Sequence, residues 1–145
     1  MPLGAFISNH ELMISLSLNP ALGHITTFGG HPVSCAAGKV AMEVLFEENL
    51  MNDVEQKKNL FIELLNHSQI ASVNAAGLLL AIEFDDDTIN RKVIASCIQN
   101  GVVTDWFMFA PHCMRIAPPL IISDEEIRNA CSVILHAIDS AQSKS

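Results

Sequence analysis

Of the 145 residues, 50% are hydrophobic and only 17% charged, and the mean hydropathy is +0.33; an ordinary soluble domain carries about 25% charged residues, so this chain has more apolar surface than one small core hides easily. The longest clear apolar run, AAGLLLAI over Ala75–Ile82, falls far short of the roughly 18–20 residues of a membrane helix, and so hydrophobic a chain is equally unsuited to intrinsic disorder. The net charge of −8 comes from 16 acidic and 8 basic residues, with no basic cluster beyond Lys57-Lys58 and Arg91-Lys92. Nucleic acid and anionic lipid are thereby excluded as partners.

Met1–Ser8 (MPLGAFIS) reads as a short strand buried on both faces, followed by a helical turn from Asn9 to Leu18 and a Thr- and Gly-rich loop up to Gly30. A helix then starts at Pro32, whose missing N–H costs nothing at the first helical position. Val33, Ala36, Ala37, Val40 and Val44 form its apolar stripe, beside a second stripe of Ser34, Gly38 and Ala41 small enough for another backbone to come close. Glu47-Glu48-Asn49 interrupts the pattern before a second helical stretch from about Leu50 to Leu65, with Leu50, Val54, Phe61 and Leu65 inward. The two stretches are compatible with one long, bent helix.

From Ser68 the reading is β-α-β-β-α. A central strand over Leu78–Phe84 ends in Asp85-Asp86-Asp87, which reads as a solvated helix start rather than a metal site. Ile89, Val93 and Cys97 give a helix stopped at Asn100-Gly101. Strands follow at Val102-Val103 and Met114–Ile116, joined by an irregular segment from Thr104 to His112 in which Trp106-Phe107 is a packing anchor. The last helix carries the capping box Ser123-x-x-Glu126 and a buried face of Ile127, Ala130, Cys131, Ile134 and Ile138. Ser140–Ser145 reads as a frayed tail. The expected class is α/β to α+β, with a compact α+β unit of about 75 residues at the C-terminal end.

Cys35, Cys97, Cys113 and Cys131 form no CxxC pair, and no signal-like region opens the chain; they are expected to be reduced, mostly core cysteines of a cytoplasmic protein. His112 and Cys113 are adjacent, so in an extended segment they point to opposite faces, and no metal site is expected.

Two places could carry chemistry. Thr26-Thr27-Phe28-Gly29-Gly30-His31-Pro32 sets two hydroxyls and two residues without side chains before a helix N-terminus. That suits a phosphate dianion, with His24 as a possible helper, and equally suits a plain glycine turn. Arg115, in CMRIAPPL, is the only basic residue between Lys92 and Arg128. Its guanidinium either faces water from an edge strand or is held for bidentate contact with a carboxylate.

PLGAFIS, HITTFGGHPVSCAAGKVAMEVL, GLLLAIEF and MRIAPPLIIS, in that order and with a helix after the last, resemble the C-terminal part of class III pyridoxal-phosphate-dependent aminotransferases, the group that includes ornithine, acetylornithine and 4-aminobutyrate aminotransferases. TTFGGHP resembles the family's STFGG-N-P block and RIAPPL its R-x-x-P-P-L block. The resemblance implies the fold-type I aminotransferase: residues 1–30 as the last strand and interface loop of a large domain, 31–67 as a long linking helix, and 68–145 as the small C-terminal domain, an antiparallel sheet with helices. It also implies a homodimer in which Thr27, assisted by Thr26, donates to the phosphate of the neighbouring subunit's pyridoxal 5′-phosphate, while Arg115 binds a substrate carboxylate.

Asn74-Ala75-Ala76-Gly77-Leu78 stands where many members read R-G-x-G-L, and His31 replaces the usual Asn, a change expected to preserve the start of the helix. The family's Schiff-base lysine precedes a segment matching Met1–Ala5, and none of Lys39, Lys57, Lys58, Lys92 or Lys144 lies in a matching context. The expectation is therefore a C-terminal fragment of a transaminase that moves an amino group from an amine donor to a 2-oxo acid, inactive by itself. Two further readings stand beside it: a free-standing, non-catalytic domain that pairs through the apolar 1–30 arm, and a small-phosphate binder using the Thr-Gly loop. The first thirty residues are expected to be poorly ordered in a monomer or to dock onto a second copy.

Overall fold

The computed structural model describes residues 1–142. It divides into two compact units, Met1–Asn49 and the chain from Leu50 onward.

The first unit has two helices. α1 (His10–Leu18) is started by Asn9, whose side chain accepts the Leu12 N–H, and α2 (Pro32–Glu47) follows with Pro32 in its first turn. No residue of this unit is buried. Residues 1–9 form no strand: a strand needs a neighbour to take its N–H and C=O groups, and none of the described residues supplies one. The partly covered positions of α2 are Ser34, Gly38, Val44 and Leu45, while Val33, Ala36, Ala37 and Val40 are exposed, so apart from Val44 the expected apolar stripe is uncovered. The small stripe does admit a close neighbour, but it is a side chain: Leu3 lies where a Cβ on residue 38 would be, so Gly38 cannot be enlarged without moving it.

The helical stretches on either side of Asn49 are separate. α2 ends at Glu47 with Glu48 as its C-cap, Asn49 takes a positive φ of 52°, and α3 (Val54–Leu64) begins five residues after Asn49. One bent helix over 31–67 is thereby corrected: the left-handed backbone at Asn49 breaks the i→i−4 ladder, a conformation Asn tolerates better than most side chains.

The second unit is α+β. After α3 come β1 (Ser72–Ala76), β2 (Leu79–Glu83), α4 (Asp87–Gln99), β3 (Asp105–Phe107), β4 (Ala110–Ile116) and α5 (Asp124–Gln142). The strands make one antiparallel sheet in the order β1-β2-β4-β3. Two strands differ from expectation. β1 falls where the sequence reading places no strand, and β3 lies at Asp105–Phe107 rather than Val102-Val103, so the segment expected to be irregular holds a hairpin. The expected frayed tail is helical through Gln142; residues 143–145, with Lys144, lie outside the described residues.

Period-2 alternation sorts the sheet into a covered and an open face. Leu80, Ile82 and Phe84, with Met114 and Ile116, are all buried and share one core with Phe61 and Leu65, Val93, Ile94 and Cys97 of α4, and Ile127, Cys131, Ile134, Ala137 and Ile138 of α5. Each such aliphatic or aromatic side chain contributes about 1.5–3 kcal/mol by leaving water. The helix starts are built as expected: Asp86 accepts the Ile89 N–H, and Ser123 and Glu126 form the reciprocal capping box. α4 stops at Asn100-Gly101, where Gly101 takes φ +87°. On the opposite face, Ala81 and Arg115 stand opposite each other in the β2–β4 register, as do Glu83 and Cys113, and Asp105 stands opposite Arg115 from β3. No helix of the described residues is long and apolar enough to cross a membrane.

Candidate functional site

The Thr-Gly loop is made of two successive turns, closed by Gly29 N–H to Thr26 C=O and His31 N–H to Phe28 C=O, each at 3.2 Å. A Cβ on Gly29 would lie 2.6 Å from Thr26 Oγ1 and would displace that hydroxyl, and Gly30 has φ +71°, the conformation for which glycine is favoured. His31 ends the loop and caps α2, its Nδ1 accepting the Val33 N–H at 3.3 Å. The Asn-to-His change thus preserves the helix start, as expected. Thr27 is exposed, and its hydroxyl makes no hydrogen bond among the described residues; the same holds for the His24 ring. An exposed, unengaged hydroxyl on a glycine-containing turn that leads into a helix N-terminus is chemically suited to a phosphate group.

Arg115 occupies the middle of the sheet, with Ala81 on one side and Asp105 on the other, so the edge-strand alternative does not hold. Its fork is bidentate on a carboxylate of its own chain: Nε–H donates to Asp105 Oδ1 at 2.7 Å and an Nη2 hydrogen to Oδ2 at 2.5 Å. Both side chains are about half exposed, at 45% and 46%. The Thr104 hydroxyl donates to the Arg115 carbonyl at 2.5 Å and fixes the backbone from which the guanidinium projects. Asp105 and Thr104 are functional candidates that sequence reasoning missed. The one available signal was hairpin register, and it was hidden because Thr104–His112 read as irregular.

Beside Arg115 and Asp105 the open face carries apolar Leu79, Ala81 and Cys113 together with a hydrogen-bonded polar cluster. The Ser72 hydroxyl donates to Glu83 Oε2 at 2.6 Å, Asn74 Nδ2 donates to the Ser72 oxygen at 3.0 Å, and His112 Nε2 stands 3.6 Å from Glu83 Oε1. Burial, reinforced by the Glu83 charge, pushes the Cys113 thiol above its ordinary range; burial alone takes Cys97 to about 11 and Cys131 to about 12. Cys97 and Cys131 are core thiols, Cys113 is covered on the open face beside Glu83, and Cys35 is exposed. Trp106 is not the expected anchor: it is 45% exposed, with the Arg91 guanidinium carbon 5.4 Å from its ring centroid.

Three of the lysines are tied to local structure. Lys39 pairs with Glu43 and Lys58 with Glu55, and Lys57 donates to the Leu120 carbonyl at 2.7 Å. Asp86 serves as a helix cap, consistent with a solvated helix start. An apolar groove of about 710 Å³, lined by Val102, Ile116, Pro118, Ile122 and Val133 among others, includes neither Thr27 nor Arg115. Thr27 belongs to the first unit and Arg115 to the second.

The Aminotransferase class-III family matches residues 1–138. Among solved structures, the chain is similar to the ornithine aminotransferase from Toxoplasma gondii ME49, at 30% identity and a TM-score of 0.73, over 86% of this chain and 31% of that one. A Bacillus anthracis aminotransferase is 27% identical with a TM-score of 0.74, over 83% of this chain and 31% of its own. A six-fold mutant thermostable omega transaminase from Pseudomonas jessenii, at 22% identity and a TM-score of 0.78, shares the fold over 91% of this chain and 32% of that one. The chain therefore spans about a third of the length of these enzymes. The order of the Thr-Gly turn, the capped helix and the arginine-bearing strand, together with a family match over nearly the whole length, places this chain in the class III aminotransferase family, with the fold-type I architecture of its structural neighbours.

Proposed function

We propose that these residues form the C-terminal part of a cytoplasmic, pyridoxal-phosphate-dependent aminotransferase that transfers an amino group from an amine donor to a 2-oxo acid and acts as a homodimer. In this reading residues 1–30 are the closing edge and interface loop of the large domain, and the unit from Leu50 contains the small domain. Thr27, assisted by Thr26, holds the phosphate of the cofactor bound by the neighbouring subunit. Arg115 holds a substrate carboxylate and so orients the substrate for transfer. When bound, the cofactor supplies the electron sink on which the amino group is exchanged. The residues described here contribute binding and orientation, which is why the chain alone is proposed to be inactive.

The observation that carries the reading is the Arg115 fork, which already takes a carboxylate with two parallel N–H···O bonds on an open sheet face. A lysine in that place would offer a point charge without the planar match. The unengaged Thr27 hydroxyl supports the phosphate role.

The test has two arms. The 145-residue chain, mixed with pyridoxal 5′-phosphate, an amine donor and a 2-oxo acid, is expected to give no turnover, and sustained turnover would overturn the inactivity proposed for it. In a complete aminotransferase containing these residues, Thr27→Val is expected to weaken cofactor retention and Arg115→Gln to raise KM for the 2-oxo acid. An unchanged KM in Arg115→Gln would remove the carboxylate role.

A further inference from the structure

We propose that Asp105 is a specificity-determining residue that competes, from within the chain, with a ligand carboxylate for the Arg115 guanidinium; the proposal rests on the reading of Arg115 as the substrate-carboxylate site. A guanidinium has five N–H groups, and a bidentate carboxylate fills one edge of the fork. Asp105 fills the edge made by Nε and Nη2. An incoming carboxylate must either displace it or bind the remaining edge with the Asp105 charge close by. Both routes lower affinity.

The surroundings make this a competition rather than a fixed scaffold. The strands are pinned independently of the side chains, by the β3–β4 register and by the Thr104 hydroxyl on the Arg115 carbonyl. The pair can therefore open by side-chain rotation alone. Both side chains are about half in water, and ion pairs so exposed are weak enough to open readily. On the other flank Ala81 offers no polar group that could take over the guanidinium. Glu83, the other carboxylate placed on this face, is engaged by Ser72 and lies near His112, and it adds negative charge rather than a second cation. An arginine held by Asp105 about four-fifths of the time is competent for one-fifth, which weakens apparent affinity about fivefold.

The alternative role, in which Asp105 merely holds Arg115 in a productive orientation, predicts the opposite sign on removal. The experiment follows the Arg115 Nε–Hε resonance of the 145-residue chain during titration with sodium succinate, against sodium chloride at matched ionic strength. Asp105→Asn and Asp105→Ser are each expected to bind succinate about fivefold more tightly than the parent chain, and Arg115→Gln to abolish the saturable shift of neighbouring resonances in every background. Equal or weaker binding in both Asp105 variants, with binding still lost in Arg115→Gln, overturns the competition and leaves the carboxylate site standing. No saturable binding in any of the proteins overturns both.

Discussion

The two units of this chain are made of similarly apolar sequence, yet only one of them has an interior. From Leu50 onward, Phe61, Leu80, Ile82, Met114 and Ile134 are at most 1% exposed. In residues 1–49 no side chain is buried, and Phe6, Ile7, Leu12, Phe28, Val40 and Phe46 all stand more than half in water. Helical spacing and a good cap are present in both units, since Asn9 caps α1 as cleanly as Ser123 caps α5. What separates them is a sheet: four strands give α3, α4 and α5 a common surface to cover, and the first unit has no such surface among the described residues. Local helix signals therefore define elements, while burial decides which of them are stable.

The largest expected effect is chemical. Cys97 and Cys131 are buried with thiols pushed up to about 11 and about 12, while Cys35 is exposed. Alkylation near neutral pH is expected to modify Cys35 first and the two core thiols on the order of a hundredfold more slowly or less; equal rates would mean that the second unit opens as easily as the first. The same shifts carry a stability sign. Folded thiols that keep their protons above the ordinary value of 9.0 contribute stability that is complete below that pH and lost as pH rises toward 11–12.

Next comes packing. Phe61→Ala is expected to lower unfolding stability by about 3–5 kcal/mol and Ile82→Ala by about 2–5 kcal/mol. Val33→Ala and Val40→Ala are expected to stay within about 0.5 kcal/mol in the chain by itself. Urea unfolding monitored by far-UV circular dichroism separates these outcomes, and a large loss in Val40→Ala would show that the first unit has a core of its own.

Smaller still are the caps. Ser123→Ala is expected to cost about 1 kcal/mol of cooperative unfolding, whereas Asn9→Ala should leave that transition where it is. Glu126 gives a pH-dependent version of the same contrast: the Ser123 backbone N–H, and then its hydroxyl, hold the carboxyl below its usual range. A carboxylate with a lowered native pKa contributes stability present above its unfolded value and lost as pH falls through the folded one. Glu126→Gln is therefore expected to flatten the acid limb of the stability profile, and an unchanged limb would contradict the capping role.

How far the sequence carried this account depends on which signals were local. The capping box, the Asp86 start and the Asn100-Gly101 stop involve residues a few positions apart and stand as expected; so does the buried face of α5 at Ile127, Cys131, Ile134 and Ile138, whereas Ala130 is only partly covered and Ala137 joins the core in its place. β1 escaped notice because Ser72-Val73-Asn74-Ala75-Ala76 lies at the sheet edge with partial to no burial and so lacks alternation. Met1–Ser8 misled in the opposite direction, since an apolar run becomes a strand only with a neighbour to pair with. At the candidate site, the type of residue at Arg115 was legible, but its partner was not. Asp105 meets it through a hairpin containing a register shift at Trp106/Phe107, which no spacing rule would have anticipated.

The unit from Leu50 has a core of its own, whereas residues 1–49 have none among the described residues, and we propose that only the former folds by itself. Residue-resolved hydrogen exchange of the 145-residue chain tests it most directly. The account predicts that amides of β2, β4 and α5 exchange only by global unfolding, while those of α1 and α2 exchange close to their unprotected rates. Protection of α2 equal to that of α5 would contradict it and favour a free-standing domain that pairs through its first unit.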